Sequence, residues 1–181
     1  MDEIKILDNI LTSKQIYDLY SRLLSENFWN LNCSSHQKSA PHYRTFPRVD
    51  LQEQDNVYYP YWAGYFHSLY STINKEFEKK YNFTLPNNIC RIHLGAKNEL
   101  SLPDFHVDVK NLQGWTIIGY LTPQWAVDWG GHLNVEGQEI ENKPGRFVII
   151  KNHLRHNGEA PKQNLPYWKI AINYVTRISE G

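Results

Sequence analysis

Between Tyr58 and Tyr81 the apolar residues Trp62, Tyr65, Phe66, Leu69, Ile73 and Phe77 recur at the spacing of one helix face, while Asn74, Lys75, Glu78 and Lys79 fall on the other. This pattern predicts a long amphipathic helix lying on a sheet, closed by Asn82 and Pro86. A shorter stripe of Ile16, Leu19, Tyr20, Leu23 and Leu24 predicts a second helix. Thr12 or Ser13 can cap it, and Gln15 stands three residues after Thr12, as a capping box requires. Residues 3 to 11 read as a short strand with a turn at Asp8-Asn9, and Phe28 to Asn32 as a strand of β-favouring aromatics. After Pro86 the chain is strand-rich, with strands predicted over 88–95, 105–109, 114–122, 131–136, 146–151 and 166–176. In the last of these Trp168, Ile170, Ile172 and Tyr174 share one face and Lys169, Ala171 and Asn173 the other. The apolar face should pack on the helices. One cation, one small residue and one amide suit the wall of a cleft that holds an anion.

These elements predict a mainly β protein with supporting helices. They form a single domain over 1–181, with helical support and a lid in 1–87 and a β core in 88–181. The segment 33–57 carries Ser, Gln, Pro, His and Arg with little periodicity, so it reads as a long loop with one strand around Tyr43 to Leu51. Long loops in compact domains are often functional lids. A surface excursion without function is the alternative.

Charge narrows the partners. The chain has 19 basic and 19 acidic residues, so no overall field draws it to nucleic acid or to a membrane surface. Its start, Met-Asp-Glu-Ile-Lys, lacks the basic and apolar run of a secretory signal, and no stretch is apolar enough to span a bilayer. A cytoplasmic location is the expectation. Cys33 and Cys90 have no C-x-x-C spacing and suggest neither a zinc site nor a disulfide framework.

The chemistry concentrates in Leu102-Pro-Asp-Phe-His-Val-Asp-Val-Lys110. On an extended strand His106 and Asp108 would point the same way, one imidazole beside one carboxylate. A third ligand from a distant strand would complete the two-histidine, one-carboxylate set that holds non-haem Fe(II), and His156 is the candidate. Taken alone, a His beside an Asp is more often a surface hydrogen-bonded pair.

The segments that follow, in order, make the case stronger. His106-Val-Asp108, Thr116-Ile-Ile-Gly-Tyr-Leu-Thr-Pro-Gln-Trp125, Gly130-Gly-His-Leu133, Lys143-Pro-Gly-Arg-Phe-Val-Ile-Ile150, His156-Asn-Gly158 and Lys169 together resemble the Fe(II)- and 2-oxoglutarate-dependent oxygenases, in particular the prolyl 4-hydroxylase-like branch. The resemblance implies a double-stranded β-helix, the jelly roll of cupins, with Fe(II) held by His106, Asp108 and His156. It implies 2-oxoglutarate as cosubstrate, its distal carboxylate held by Lys169 with help from Thr116. It also implies O2 as oxidant, succinate and CO2 as products, and hydroxylation of an unactivated C–H bond in a small molecule or peptide. Asp108 argues against halogenation, because halogenating relatives vacate that position. His156 is preferred to His153 because it matches the family's H-x-G, which leaves His153 and His132 as loop or rim residues. Arg91 and His93 stand where the family often has a Tyr, so that role is unassigned. A non-redox jelly-roll binding module and a cupin-type isomerase are the alternatives; neither needs a carboxylate clamp deep in the cleft.

Overall fold

The structure is a computed structural model, and it describes residues 3–27, 29–31, 42–49, 60–101, 104–109 and 113–178. Strand β1 (Ile4–Leu7) leads into helix α1 (Ser13–Ser25), and the short β2 (Asn30–Leu31) and β3 (His42–Val49) precede helix α2 (Pro60–Tyr81). Then come β4 (Ile89–Lys97), β5 (Trp115–Tyr120), β6 (Leu133–Val135), β7 (Gln138–Ile140), β8 (Phe147–Lys151), β9 (His156–Gly158) and β10 (Lys169–Thr176). Among the described residues the strands form a seven-stranded sheet, in the order β1-β8-β5-β10-β4-β3-β2, and a three-stranded sheet, β7-β6-β9. Every recorded pairing is antiparallel.

Alternation along the central strands builds the layers. Ile92, Leu94 and Ala96 of β4, Trp115 and Ile117 of β5, Phe147 and Ile149 of β8, and Ile170, Ile172 and Tyr174 of β10 join one apolar core with α1 and α2. From the opposite side of the large sheet, Ile118, Tyr120, Val148 and Ile150 meet Leu133, Val135 and Ile140 of the small sheet in a second core. The order is therefore helices, large sheet, small sheet. Helix α1 begins as predicted: the Thr12 hydroxyl accepts from the Gln15 amide, and the Gln15 side chain accepts from the Thr12 amide. No helix among the described residues is long and apolar enough to cross a membrane.

Some elements differ from the reading. Residues 105–109 are not a strand; His106 makes a single antiparallel bridge to His156, and the chain turns away at once. Strands β7 and β9 escaped prediction, each being only three residues long. Leu24 is 46% exposed instead of packed. Strand β3 (His42–Val49) stands where one strand was expected around Tyr43 to Leu51, and the rest of 33–57, with the lid expected there, lies outside the described residues.

Candidate metal centre and cavity

Three ligand atoms, one each from His106, Asp108 and His156, lie within 4.8 Å of one another. Backbone pairing brings the histidines together: the His106 amide donates to the His156 carbonyl at 3.0 Å, and the His156 amide to the His106 carbonyl at 2.9 Å. Antiparallel residues facing each other across such a bridge put their side chains on the same side. The ring centroids stand 4.6 Å apart.

The outer nitrogens fix the tautomers. Nδ1 of His106 lies 2.9 Å from the Asp104 carbonyl oxygen, and Nδ1 of His156 lies 3.0 Å from that of Leu154. A carbonyl only accepts, so each Nδ1 carries the proton and each Nε2 is turned toward the shared point. In His156 that nitrogen is 3.3 Å from Asp108 Oδ2.

Asp108 is held from several sides. Arg91 on β4 donates through Nη2 to Oδ1 at 2.5 Å, and the Thr116 hydroxyl on β5 lies 2.8 Å from Oδ2. Burial alone would raise the Asp108 pKa, but the hydrogen bond from His156 and the charges of His156, Arg91 and His93 outweigh it, so the group stays a carboxylate far below the usual range. Burial likewise opposes the charged form of His156, yet the hydrogen bond and charge of Asp108 hold its pKa above the ordinary 6.5. His106 goes the other way, lowered by burial and by His156.

The three residues line a cavity between the two sheets. Along β4 it runs from beside Arg91, the partner of Asp108, past His93 opposite Asn173 to Lys97 opposite Lys169, with Tyr120, Gly158 and Ala171 also on its lining. Lys169, only 3% exposed, donates to the Glu159 carbonyl at 2.6 Å. Among the described residues no carboxylate comes within ion-pair distance of it. Its pKa is pushed far below the usual lysine value, first by burial and then by the charge of Lys97. The Tyr120 hydroxyl is buried without a hydrogen-bond partner among the described residues, and the Lys169 nitrogen lies 5.8 Å from its ring centroid.

The structure thus brings His106, Asp108, His156 and Lys169 into one cavity. Thr116 is not on the cavity lining; its hydroxyl faces Asp108 and, at 3.1 Å, the Asn152 side-chain oxygen. His153 is 64% exposed beside Glu3, and Arg177 borders a separate groove with Phe83 and Asn88. Tyr120, Lys97 and the Arg91–Asp108 pair were not foreseen. Tyr120 had one usable signal, since it falls within the Thr116–Trp125 motif on the same strand face as Thr116.

No protein-family model matches the chain, and no curated protein matches it in sequence. Solved structures do match in shape. A prolyl-4-hydroxylase from Pseudomonas putida superposes with a TM-score of 0.68 at 12% identity, covering 97% of this chain and 93% of that one. A prolyl hydroxylase from Trichoplax adhaerens, in complex with a hypoxia-inducible factor peptide fragment, gives 0.63 at 16% identity, with coverage of 98% and 84%. The viral collagen prolyl hydroxylase of Paramecium Bursaria Chlorella virus-1, in its 2-oxoglutarate complex, gives 0.63 at 14% identity, with coverage of 98% and 97%. The fold is what the chain shares with them.

Proposed function

We propose that the protein is an Fe(II)- and 2-oxoglutarate-dependent oxygenase of the double-stranded β-helix type that hydroxylates an unactivated C–H bond. One observation carries the reading: a two-histidine, one-carboxylate cluster and a buried, desolvated lysine occupy opposite ends of the same cavity. The intervening distance fits the cosubstrate. His156 and Gly158 are two residues apart on β9, about 6.6 Å at strand rise, and the Gly158 end is where the lysines gather. A five-carbon dicarboxylate chelated at one end can reach a cation at that separation.

The donor set suits the metal. Two neutral imidazoles and one carboxylate with other positions open are the ligands of non-haem Fe(II), and both rings are already turned Nε2-inward by their Nδ1 bonds to backbone carbonyls. When bound, Fe(II) with 2-oxoglutarate and O2 supplies the oxidising power for hydroxylation, with succinate and CO2 as products. The protein's own residues do the rest. Arg91 occupies Oδ1 of Asp108 and leaves Oδ2 toward the histidines, which favours one-oxygen ligation. Lys169 and the Tyr120 hydroxyl supply a cation and a donor for the distal carboxylate. Ile118, Leu133 and Ala171 give the cavity apolar walls that exclude water.

A non-redox binding module or an isomerase of this fold has no need of a desolvated lysine facing the metal site. A prolyl hydroxylase that shares the fold is in complex with a peptide fragment, which supports testing peptidyl proline first, then free amino acids and small metabolites. The test is succinate release after anaerobic loading with Fe(II) and 2-oxoglutarate and exposure to O2, across that panel. Substrate-stimulated succinate formation is expected. Absence of both 2-oxoglutarate binding and succinate formation in the iron-loaded protein would overturn the reading.

A further inference from the structure

Behind the metal ligands, one hydroxyl proton faces two acceptors. The Thr116 hydroxyl lies 2.8 Å from Asp108 Oδ2 and 3.1 Å from the side-chain oxygen of Asn152. A hydroxyl has a single proton, and a carboxylate and an amide oxygen only accept, so it can serve one of the two at a time. Turning the Asn152 amide over does not remove the conflict. Its Nδ2 donates to the Thr176 carbonyl at 2.8 Å, and a carbonyl has no proton to give, so the amide oxygen must face Thr116. Gly114 leaves room for that bond: a β-carbon there would come within 2.7 Å of Nδ2 and 2.0 Å of the carbonyl oxygen. Thr116 and Thr176 are fully buried and Asn152 is 1% exposed. Among the described residues no other donor reaches the Asn152 oxygen.

Which acceptor wins depends on the charge at Asp108. Hydrogen bonds to an ionised acceptor are roughly twice as strong as neutral ones, so while Asp108 carries its full charge the proton belongs to it, in line with the shorter distance. That choice leaves the Asn152 oxygen buried without a donor, which costs free energy. Oδ2 is also the oxygen that a metal shared with the histidines would take, since Arg91 holds Oδ1 and Oδ2 stands 3.3 Å from His156 Nε2. A divalent cation there becomes the largest local charge, competes for the lone pairs of Oδ2 and repels the hydroxyl proton. The balance then favours Asn152. Resting on the metal-centre reading above, we propose that Asn152 is a positioning residue of the metal site, which receives the Thr116 hydrogen bond when a metal occupies Asp108. Metal binding thereby satisfies a buried acceptor, and because only the metal-bound state gains that bond, Asn152 raises metal affinity.

The test uses Zn(II), a diamagnetic ion that imidazoles and carboxylates bind, and protein labelled at the asparagine side-chain carbonyl carbons and the histidine ring nitrogens. In the wild type the ring signals of His106 and His156 report metal binding by NMR. The Asn152 carbonyl signal should move downfield at saturating Zn(II), as a carbonyl does on accepting a hydrogen bond. Thr116→Val, or Thr116→Ala should the first not fold, is expected to abolish that shift while the histidine signals still respond. Thr116→Ser keeps the hydroxyl and should restore it. Asn152→Leu removes the acceptor and should weaken Zn(II) binding roughly 2- to 12-fold, the worth of one neutral hydrogen bond, an effect that should be absent in a Thr116→Val background. An Asn152 signal that stays put while Zn(II) reaches both histidines, a shift that persists in Thr116→Val, or an unchanged affinity in folded Asn152→Leu overturns the proposal and leaves the metal centre standing. Zn(II) that never reaches the histidines of the wild type would bring down the metal centre and the role of Asn152 together.

Discussion

At the scale of single residues, Asp108 is the member of the candidate metal cluster that its neighbours hold most fully. One of its oxygens is bound by Arg91, and the other faces the Thr116 hydroxyl and His156. Partners of this kind, which touch the ligand and not the metal, typically contribute about 10- to 100-fold in affinity. Thr116→Val keeps the shape and deletes the hydroxyl, so Fe(II) binding should weaken by roughly that factor, while 2-oxoglutarate affinity measured in iron-saturated protein should hold. A drop in 2-oxoglutarate affinity alone would instead make Thr116 a cosubstrate contact, the role its place in the motif suggests. Acid should weaken metal binding too, with a definite sign. His156 must lose its second proton to ligate, and its pKa lies above 6.5 because the Asp108 hydrogen bond and charge outweigh burial. Iron affinity should therefore be full at alkaline pH and start to fall above pH 6.5 as the solution is acidified, which competition with a metal indicator can follow. Affinity that stays flat until well below pH 6.5 would contradict this. The gathering of His106, Asp108, His156 and Lys169 in one cavity was legible in the sequence, from motif order for the first three and from the alternation of β10 for Lys169. Arg91 was not assigned to Asp108, since that contact depends on where the 104–109 segment lies against β4, a property no local pattern encodes.

At the scale of elements, legibility followed length and periodicity. Helices α1 and α2 and the long strands β4, β5, β8 and β10 each repeat their pattern often enough to be read, and the Thr12–Gln15 capping box appeared where the residues placed it. The three-residue strands β7 and β9 carry too few alternations to show a period, and the His106 segment looks extended in sequence yet makes only one bridge. Gly119 shows what element pairing adds. It lies on β5 opposite Phe147 of β8, and a β-carbon there would come within 2.2 Å of the Phe147 ring. The fully buried aromatic fills the space a side chain would need. Gly119→Ala should therefore destabilise the fold by about 1–3 kcal/mol, the range for an overfilled core. Phe147→Leu in the same chain should recover part of that loss. Denaturant unfolding measures both, and a stability within error of wild type for Gly119→Ala would mean that the two strands can separate at little cost.

At the scale of the whole molecule, the helix layer secures one face of the large sheet, and the small sheet closes over the other to leave a cavity between the two sheets. A buried lysine lines that cavity. Lys169 is buried, its pKa is driven far below the ordinary 10.5 by burial and by Lys97, and a backbone carbonyl is its hydrogen-bond partner. The linkage sign follows directly. A cation whose folded pKa is lowered binds its proton more weakly in the folded chain than in the unfolded one, so it costs stability at neutral pH, and that cost disappears as pH rises toward 10.5. Lys169→Met replaces the charge with an apolar side chain of similar length, a kind of exchange that often stabilises by about 1–4 kcal/mol when the buried charges lack good compensation. For a chain of 181 residues, each 1 kcal/mol corresponds to a rise of about 2–4 °C in melting temperature. In the absence of metal and cosubstrate, Lys169→Met should therefore melt above wild type at neutral pH, with the difference shrinking in alkaline buffer. Adding Fe(II) and saturating 2-oxoglutarate anaerobically should reverse the ranking, because only the wild type gains the cosubstrate's share of stabilisation by mass action. If Lys169→Met melts below wild type without ligands, the bond to Glu159 outweighs the desolvation, and the lysine is retained for the fold instead of for an anion.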